Sequence, residues 1–242
     1  IRKQPEEQDQ LGIGVSYPAT CFPTAVTTAS SWDEKLLYNI GSALSEEAKA
    51  AGVSVLLGPG LNIKRSPLCG RNFEYFSEDP YLSGKLAAAL VNGMQSGGTG
   101  GCVKHFAANN QEYFRFVVDT IIDERTFREI YLTGFEIAVK ESAPWTVMCS
   151  YNRINGTHSS DNKRLLTDIL RTEWGFNGLV MTDWGAANDR VKGVQAGLDL
   201  EMPGSNGLND KKVVSAVRAG DIQEKEVDTA ARRVIELIEK GA

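Results

Sequence analysis

Short strand-like runs, the first of them (residues 53–57) apolar but for Ser54, alternate with amphipathic stretches of helical period along this chain, and that alternation restricts the fold more than any other feature. The runs occupy residues 53–57, 102–106, 145–149, 178–182 and 198–202. A strand apolar on both sides belongs in a sheet covered on both faces. Between the runs, Leu36, Leu37, Ile40, Ala43, Leu44 and Ala48 recur at helical spacing until Gly52, with Ser31 and Glu34 spaced as a capping box. Asp79-Pro80 opens a second helix with Pro at its first position, where the missing N–H costs nothing. Further helices are predicted over 123–141, 161–174 and 188–196, and the last helix carries Val227, Ala231, Val234 and Ile238 on one face. Strand followed by helix, repeated, demands parallel strands joined by helical crossovers.

Composition narrows the function classes. The chain has 242 residues, 42% hydrophobic and 24% charged, which suits a globular domain and excludes disordered or fibrous classes. Twenty-six basic against 31 acidic residues leave a net charge of −5, so no nucleic-acid partner is expected. No apolar run approaches the roughly 18 residues of a membrane span, and no membrane association is expected. Cys21, Cys69, Cys102 and Cys149 form no CxxC pair and have no His at ligand spacing. Buried free thiols are therefore expected, with no metal and no cofactor. The opening Ile1-Arg2-Lys3 lacks an initiator Met and an apolar signal region, which reads as the interior of a longer protein and favours a cytoplasmic location. No repeat or low-complexity linker divides the chain, so residues 1–242 are expected to form one domain.

The glycines argue against a dinucleotide fold. Gly58-Pro59-Gly60 follows a strand but lacks a third Gly at the helix start, and Gly97–Gly101 comes between a helix and a strand, the wrong order for cradling phosphate. Polar residues sit instead just past the strand ends: Asn62, Lys104-His105, Tyr151-Asn152, Asp183 and Glu201. Side chains from several strands converging on one rim are how a (β/α)8 barrel builds its site. With five clear strands, the expected fold is an α/β, TIM-like (β/α)8 barrel, incomplete or irregular at its N-terminal end.

Asp183 is the sharpest chemical candidate. A carboxylate at the end of a buried strand is costly unless donors hold it; the bland alternative is a cap for the following helix. Trp184 beside it suits a sugar face or apolar aglycone as well as a core. Lys104-His105 ends another strand, where a regular backbone would aim only one of two neighbours at the rim. Lys104 alone would suit a Schiff base; together the pair would suit vicinal hydroxyls. Arg71 lies in a polar loop with Glu74 placed to orient its guanidinium, or to form an ordinary surface ion pair. His158 follows the turn sequence Asn155-Gly156-Thr157, a formal glycosylation sequon better read as a plain turn.

Gly58-Pro59-Gly60-Leu61-Asn62-Ile63, the Arg71 loop, Lys104-His105-Phe106, Asn109-Asn110-Gln111-Glu112, Ser150-Tyr151-Asn152, Thr182-Asp183-Trp184-Gly185 and the 196–204 segment Ala-Gly-Leu-Asp-Leu-Glu-Met-Pro-Gly stand in one order. In that order the chain resembles the N-terminal barrel domain of glycoside hydrolase family 3 β-glucosidases. The resemblance implies retaining hydrolysis of terminal β-D-glucosyl residues. It implies Asp183 as nucleophile, Arg71, Lys104 and His105 on the glucose hydroxyls, Tyr151 beside the nucleophile and Trp184 toward the aglycone. If both Lys104 and His105 reach glucose, cis peptide bonds in this segment are the expected solution.

The family's hydroxyl-binding Asp lies in Asp-Gly-Pro-His-Gly-(Leu or Ile)-Arg, and this chain opens at the last two residues, Ile1-Arg2. The family's acid/base Glu lies on a following α/β sandwich domain, so the chain alone is expected to be inactive, with an exposed apolar face near the Asp183 rim that invites docking or self-association. The single-domain bacterial relatives place His and Asp where Phe106-Ala107-Ala108-Asn109-Asn110 stands here, which argues against their chemistry. Two other readings stay open: a non-catalytic sugar-binding barrel, and a Schiff-base lyase using Lys104.

Overall fold

The computed structural model describes residues 18–241; Ile1-Arg2 lies outside them. Four of the apolar runs form one parallel sheet. Along the chain come helices α1 (Ala25–Ala29) and α2 (Glu34–Ala50), strand β1 (Val55–Leu56), helix α3 (Pro80–Ser96) and strands β2 (Gly100–Phe106) and β3 (Asp119–Thr120). Helices α4 (Glu124–Thr126) and α5 (Thr133–Ser142) and strands β4 (Thr146–Cys149), β5 (Arg153–Ile154), β6 (Thr157–His158) and β7 (Leu179–Thr182) follow. The chain ends with α6 (Arg190–Ala196), α7 (Leu208–Ala219) and α8 (Glu224–Lys240). The main sheet has the order β1-β2-β4-β7, all parallel, while β3, β5 and β6 form a small separate sheet.

Both faces of the main sheet are covered, as its apolar strands require. Val103, Phe106, Val147 and Val180 point into a core with Leu86, Phe135, Leu166 and Leu170. Phe106 meets the rings of Phe135 and Trp174 edge-on at 5.2 and 5.7 Å. The alternate residues Cys102, Met148, Leu179 and Met181 pack on the other face with Val234 and Leu237 of α8. Helices α2 and α3 touch backbone to backbone: a Cβ on Gly93 would stand 2.0 Å from the Tyr38 carbonyl oxygen, and one on Gly41 would stand 2.3 Å from that of Leu90.

The architecture is a (β/α)8-type one whose sheet does not close on itself among the described residues. The fifth expected strand, 198–202, contributes only a bridge between Met181 and Leu200. Two of its carbonyls are diverted, since the Arg190 guanidinium donates to the oxygens of Leu198 and Asp199 at 3.1 and 2.8 Å, while that of Leu200 still accepts from Thr182 N–H at 3.0 Å.

Three local expectations need correction. The cap of α2 is Asp33, whose Oδ1 accepts from Leu36 N–H at 3.0 Å; Ser31 Oγ instead donates to the Thr28 carbonyl. The inward face of α8 is Val227, Ala230, Val234 and Leu237, so Ile238 stands exposed one step around the helix. Cys102 and Cys149 are buried free thiols as expected, but Cys21 is exposed and Cys69 half-exposed. The predicted helix 123–141 is α4, a wider π-helical segment Phe127–Leu132 and α5 in succession. That at 161–174 is a π-helix over Arg164–Glu173.

Candidate active site

Asp183 follows the last residue of β7, and its N–H donates to the Cys149 carbonyl at 3.2 Å, which fixes its backbone to the neighbouring strand. One carboxylate oxygen, Oδ1, accepts from Trp184 N–H at 2.7 Å. The other, Oδ2, is buried with no hydrogen-bond partner among the described residues. It faces His105 Nε2 at 3.4 Å and Arg71 Nη1 at 4.0 Å. Asp183 is not a helix cap; Asp189 caps α6, accepting from Val191 and Lys192 N–H. A buried carboxylate oxygen that no protein donor among the described residues reaches is uncommon enough to require a reason.

Lys104 and His105 end β2, and the Lys104–His105 and Phe106–Ala107 peptide bonds are both cis, as the sequence led one to expect. Both side chains reach the same site. Lys104 Nζ lies 3.4 Å from Glu74 Oε2, and Arg71 pairs through Nε with the other oxygen of Glu74. Arg71 Nη2 stands 2.8 Å from His105 Nε2. Glu74 thus orients the guanidinium in a part-buried site rather than in a solvated surface pair. Burial is the largest single influence and works against the Arg71 charge, but the bond to Glu74 together with the charges of Glu74, Tyr75 and Glu112 outweighs it and raises the guanidinium pKa. Burial, reinforced by the cations Arg71, Lys104 and Arg115, holds the His105 imidazole well below its ordinary pKa and keeps it neutral.

Tyr151, just past β4, donates its hydroxyl to the Trp184 carbonyl at 3.1 Å. Burial and the nearby Asp183 push its phenol above the usual range. Trp184 is partly exposed at the rim. Sequence reasoning missed Arg115, whose guanidinium carbon sits 4.5 Å from the Tyr151 ring centre and 5.2 Å from that of Phe116. It also missed Tyr75, whose hydroxyl lies 3.1 Å from His105 Nδ1. The segment that carries Arg115 also exposes Tyr113, Phe114, Phe116, Val117 and Ile121. A cleft of about 650 Å3 opens between the 65–70 and 108–121 segments.

Two candidates stand elsewhere. Glu201 accepts from Asn209 Nδ2 at 2.7 Å. His158 lies on β6, receiving Arg153 Nε–H at 3.1 Å, and Asn155 beside it spends its amide on the backbone of Ile122. Among the described residues no group of three or more His, Cys, Asp or Glu is arranged to hold a metal ion. No helix there is long and apolar enough to cross a membrane.

The model of the glycosyl hydrolase family 3 N terminal domain matches residues 7–237. The chain belongs to glycosyl hydrolase family 3. It is 58% identical over 238 residues to the thermostable beta-glucosidase B of Acetivibrio thermocellus, covering 98% of this chain and 32% of that protein. It is 55% identical to the exo-alpha-(1->6)-L-arabinopyranosidase of Bifidobacterium longum, covering 93% of this chain and 30% of that one. Among solved structures, beta-glucosidase 3B of Thermotoga neapolitana in complex with alpha-D-glucose superposes with a TM-score of 0.92 at 46% identity, over 99% of this chain and 34% of that chain. The chain therefore spans about a third of the length of these relatives.

Proposed function

We propose that this family 3 chain carries the nucleophile and the sugar-binding half of a retaining β-glucosidase. The observation that carries the reading is the bare Oδ2 of Asp183, buried and facing Arg71 and His105. Asp183 attacks the anomeric carbon to form a glycosyl-enzyme. Arg71 and Lys104, held by Glu74, and the neutral His105 bind the glucosyl hydroxyls; Tyr151 flanks the nucleophile, and Trp184 faces the leaving group.

Retaining hydrolysis also needs an acid/base group about 5–5.5 Å from the nucleophile. Glu74 is committed to Arg71 and Lys104, and Glu201 to Asn209. With the acid supplied by the domain that follows in the family, as the resemblance implies, the 242-residue chain alone turns over cellobiose negligibly, short by the 10²–10⁴ that general acid help is typically worth.

An aryl 2-deoxy-2-fluoro-β-glucoside with a strongly acidic phenol tests the nucleophile, because that leaving group needs no proton. Mass spectrometry should find one fluoroglucosyl group on the peptide holding Asp183, and Asp183→Asn should abolish it. Labelling of another residue, or labelling that survives Asp183→Asn, would overturn the assignment. The matching aryl arabinopyranoside tests the sugar preference, since a relative 55% identical is named an arabinopyranosidase. Glucose binding with no label under any condition would favour a non-catalytic sugar-binding barrel.

A further inference from the structure

A neutral imidazole has one proton for two ring nitrogens, and two independent contacts specify where His105 carries it. Asn62 Nδ2 donates to the His105 carbonyl at 2.9 Å, and Asn62 Oδ1 accepts from the His105 N–H at 2.9 Å. Reversing the amide would set two donors and two acceptors against each other, so these bonds fix which atom is oxygen. The same Oδ1 lies 3.3 Å from His105 Nδ1. A ring nitrogen facing a carboxamide oxygen must be the one bearing hydrogen. At the other end of the ring, Nε2 meets Arg71 Nη2 at 2.8 Å. Guanidinium only donates, so Nε2 must accept. Both contacts require the Nδ1–H tautomer, and Tyr75 Oη, 3.1 Å from Nδ1, is a second acceptor for that proton.

We propose that Asn62 is a positioning residue that locks His105 as the Nδ1–H tautomer, so that the imidazole holds Arg71 and gives no proton to Asp183. Its functional meaning rests on Asp183 being the nucleophile. An Nε2–H tautomer would aim its proton at Oδ2 across 3.4 Å and cap the attacking lone pair. With Nε2 as acceptor, Oδ2 stays bare, as it is among the described residues. The groups that face the ring are Arg71 and Tyr75 from the loop after β1, Lys104 beside it, Arg115, and Asp183 beyond β7.

The chain has only two histidines, so nitrogen-15 labelling of histidine in the full chain, with His158→Gln to assign the signals, reads the tautomer directly from two-bond proton–nitrogen correlations. At neutral pH, His105 should show a protonated Nδ1 and a bare Nε2. Tyr75→Phe should leave that pattern in place, whereas Asn62→Leu, which leaves only the Arg71 contact to specify the tautomer, should mix in a measurable Nε2–H population. An Nε2–H or doubly protonated ring in the unsubstituted chain, or a pure Nδ1–H pattern in Asn62→Leu, would overturn the proposal. If Asn62→Leu does not fold, the isosteric Asn62→Asp decides. A carboxylate in place of the carboxamide should keep Nδ1 protonated and raise the His105 titration midpoint by roughly one unit or more, whereas an unmoved midpoint would refute the contact. None of these signals depends on whether Asp183 takes a glycosyl label, so the two readings fail separately.

Discussion

Asp199→Ala is the substitution that most directly tests how the strand leading to Asp183 is held. Asp199 Oδ2 accepts from Val180 N–H at 2.8 Å and from Arg171 Nη2 at 2.6 Å, and Oδ1 accepts from Arg233 Nη1 at 2.9 Å. The carboxylate therefore ties β7 to the π-helix over Arg164–Glu173 and to α8. Side-chain exposure decides the magnitude: Asp199 is 1% exposed, Arg171 9% and Arg233 19%. Burial pushes the Arg171 pKa down to about 10 despite Asp199; a guanidinium keeps its proton in proteins, so a buried cation is stranded when its partner is removed. Leaving one buried charge uncompensated costs roughly 3–5 kcal/mol, and the lost acceptor for Val180 N–H falls within that figure. For a chain of this size the melting temperature should drop by roughly 6–20 °C. Urea unfolding should show a lower midpoint at unchanged slope. The double change Asp199→Leu with Arg171→Met should recover much of the loss, because it removes the stranded cation. A loss under about 1 kcal/mol for Asp199→Ala, the range of a solvated pair, would refute this account.

Four further outcomes are expected. His105 has its native pKa held below the 6.5 of a free imidazole, so as pH falls below about 6.5 the unfolded chain takes a proton that the native state refuses. Stability present above that pH is then lost toward acid by up to about 1.4 kcal/mol per unit, and urea midpoints at pH 7 and 5.5 should show a shallower fall for His105→Gln. Gly93→Ala should destabilise by about 1–3 kcal/mol despite the better helix former, because the new methyl meets the Tyr38 carbonyl; thermal melts that rise would contradict this crossing. Asp33→Ala should cost about 1 kcal/mol through loss of the α2 cap, read by chemical denaturation. Glu74→Gln should free Arg71 toward Asp183 and slow fluoroglucoside labelling by roughly 10–100-fold, the equivalent of about 1.5–3 kcal/mol for one charge-assisted bond to the nucleophile; an unchanged labelling rate would count against it.

The parallel sheet was legible because strands apolar on both sides leave no other covered arrangement, and β2, β4 and β7 fall on the runs that announced them. What failed to show in sequence depends on contacts between distant residues. The 198–202 run has strand composition, yet Arg190 takes two of its carbonyls, and no local pattern encodes that capture. Ile238 and Leu237 are equally apolar, and only docking on Met181 and its neighbours decides which faces inward. In the site, Asp183, Lys104 and His105 were found by their place at strand ends, a rule that follows from how parallel strands present their last residues. Arg71 and Tyr75 lie in an irregular loop, and only Arg71 carried a motif. Arg115 had no signal at all, since a cation in a loop declares nothing until folding lays it over Tyr151.

The unusual feature of the site is that a buried carboxylate oxygen accepts no hydrogen bond from the described residues although three cations line the site, and the geometry explains how. Arg71 spends Nε on Glu74 and Nη2 on His105, so the guanidinium presents only Nη1 to Asp183, at 4.0 Å, beyond hydrogen-bond range. Lys104 is held 3.4 Å from the other oxygen of Glu74. Arg115 pairs with Glu112 at 3.0 Å and stacks over Tyr151. Each positive group thus contributes its field to the site while its donors are committed to another partner. The Oδ2 lone pair is left uncovered, as the proposed attack on a sugar requires. A sugar hydroxyl can then replace one of those committed contacts, so binding need not begin by stripping a cation from Asp183.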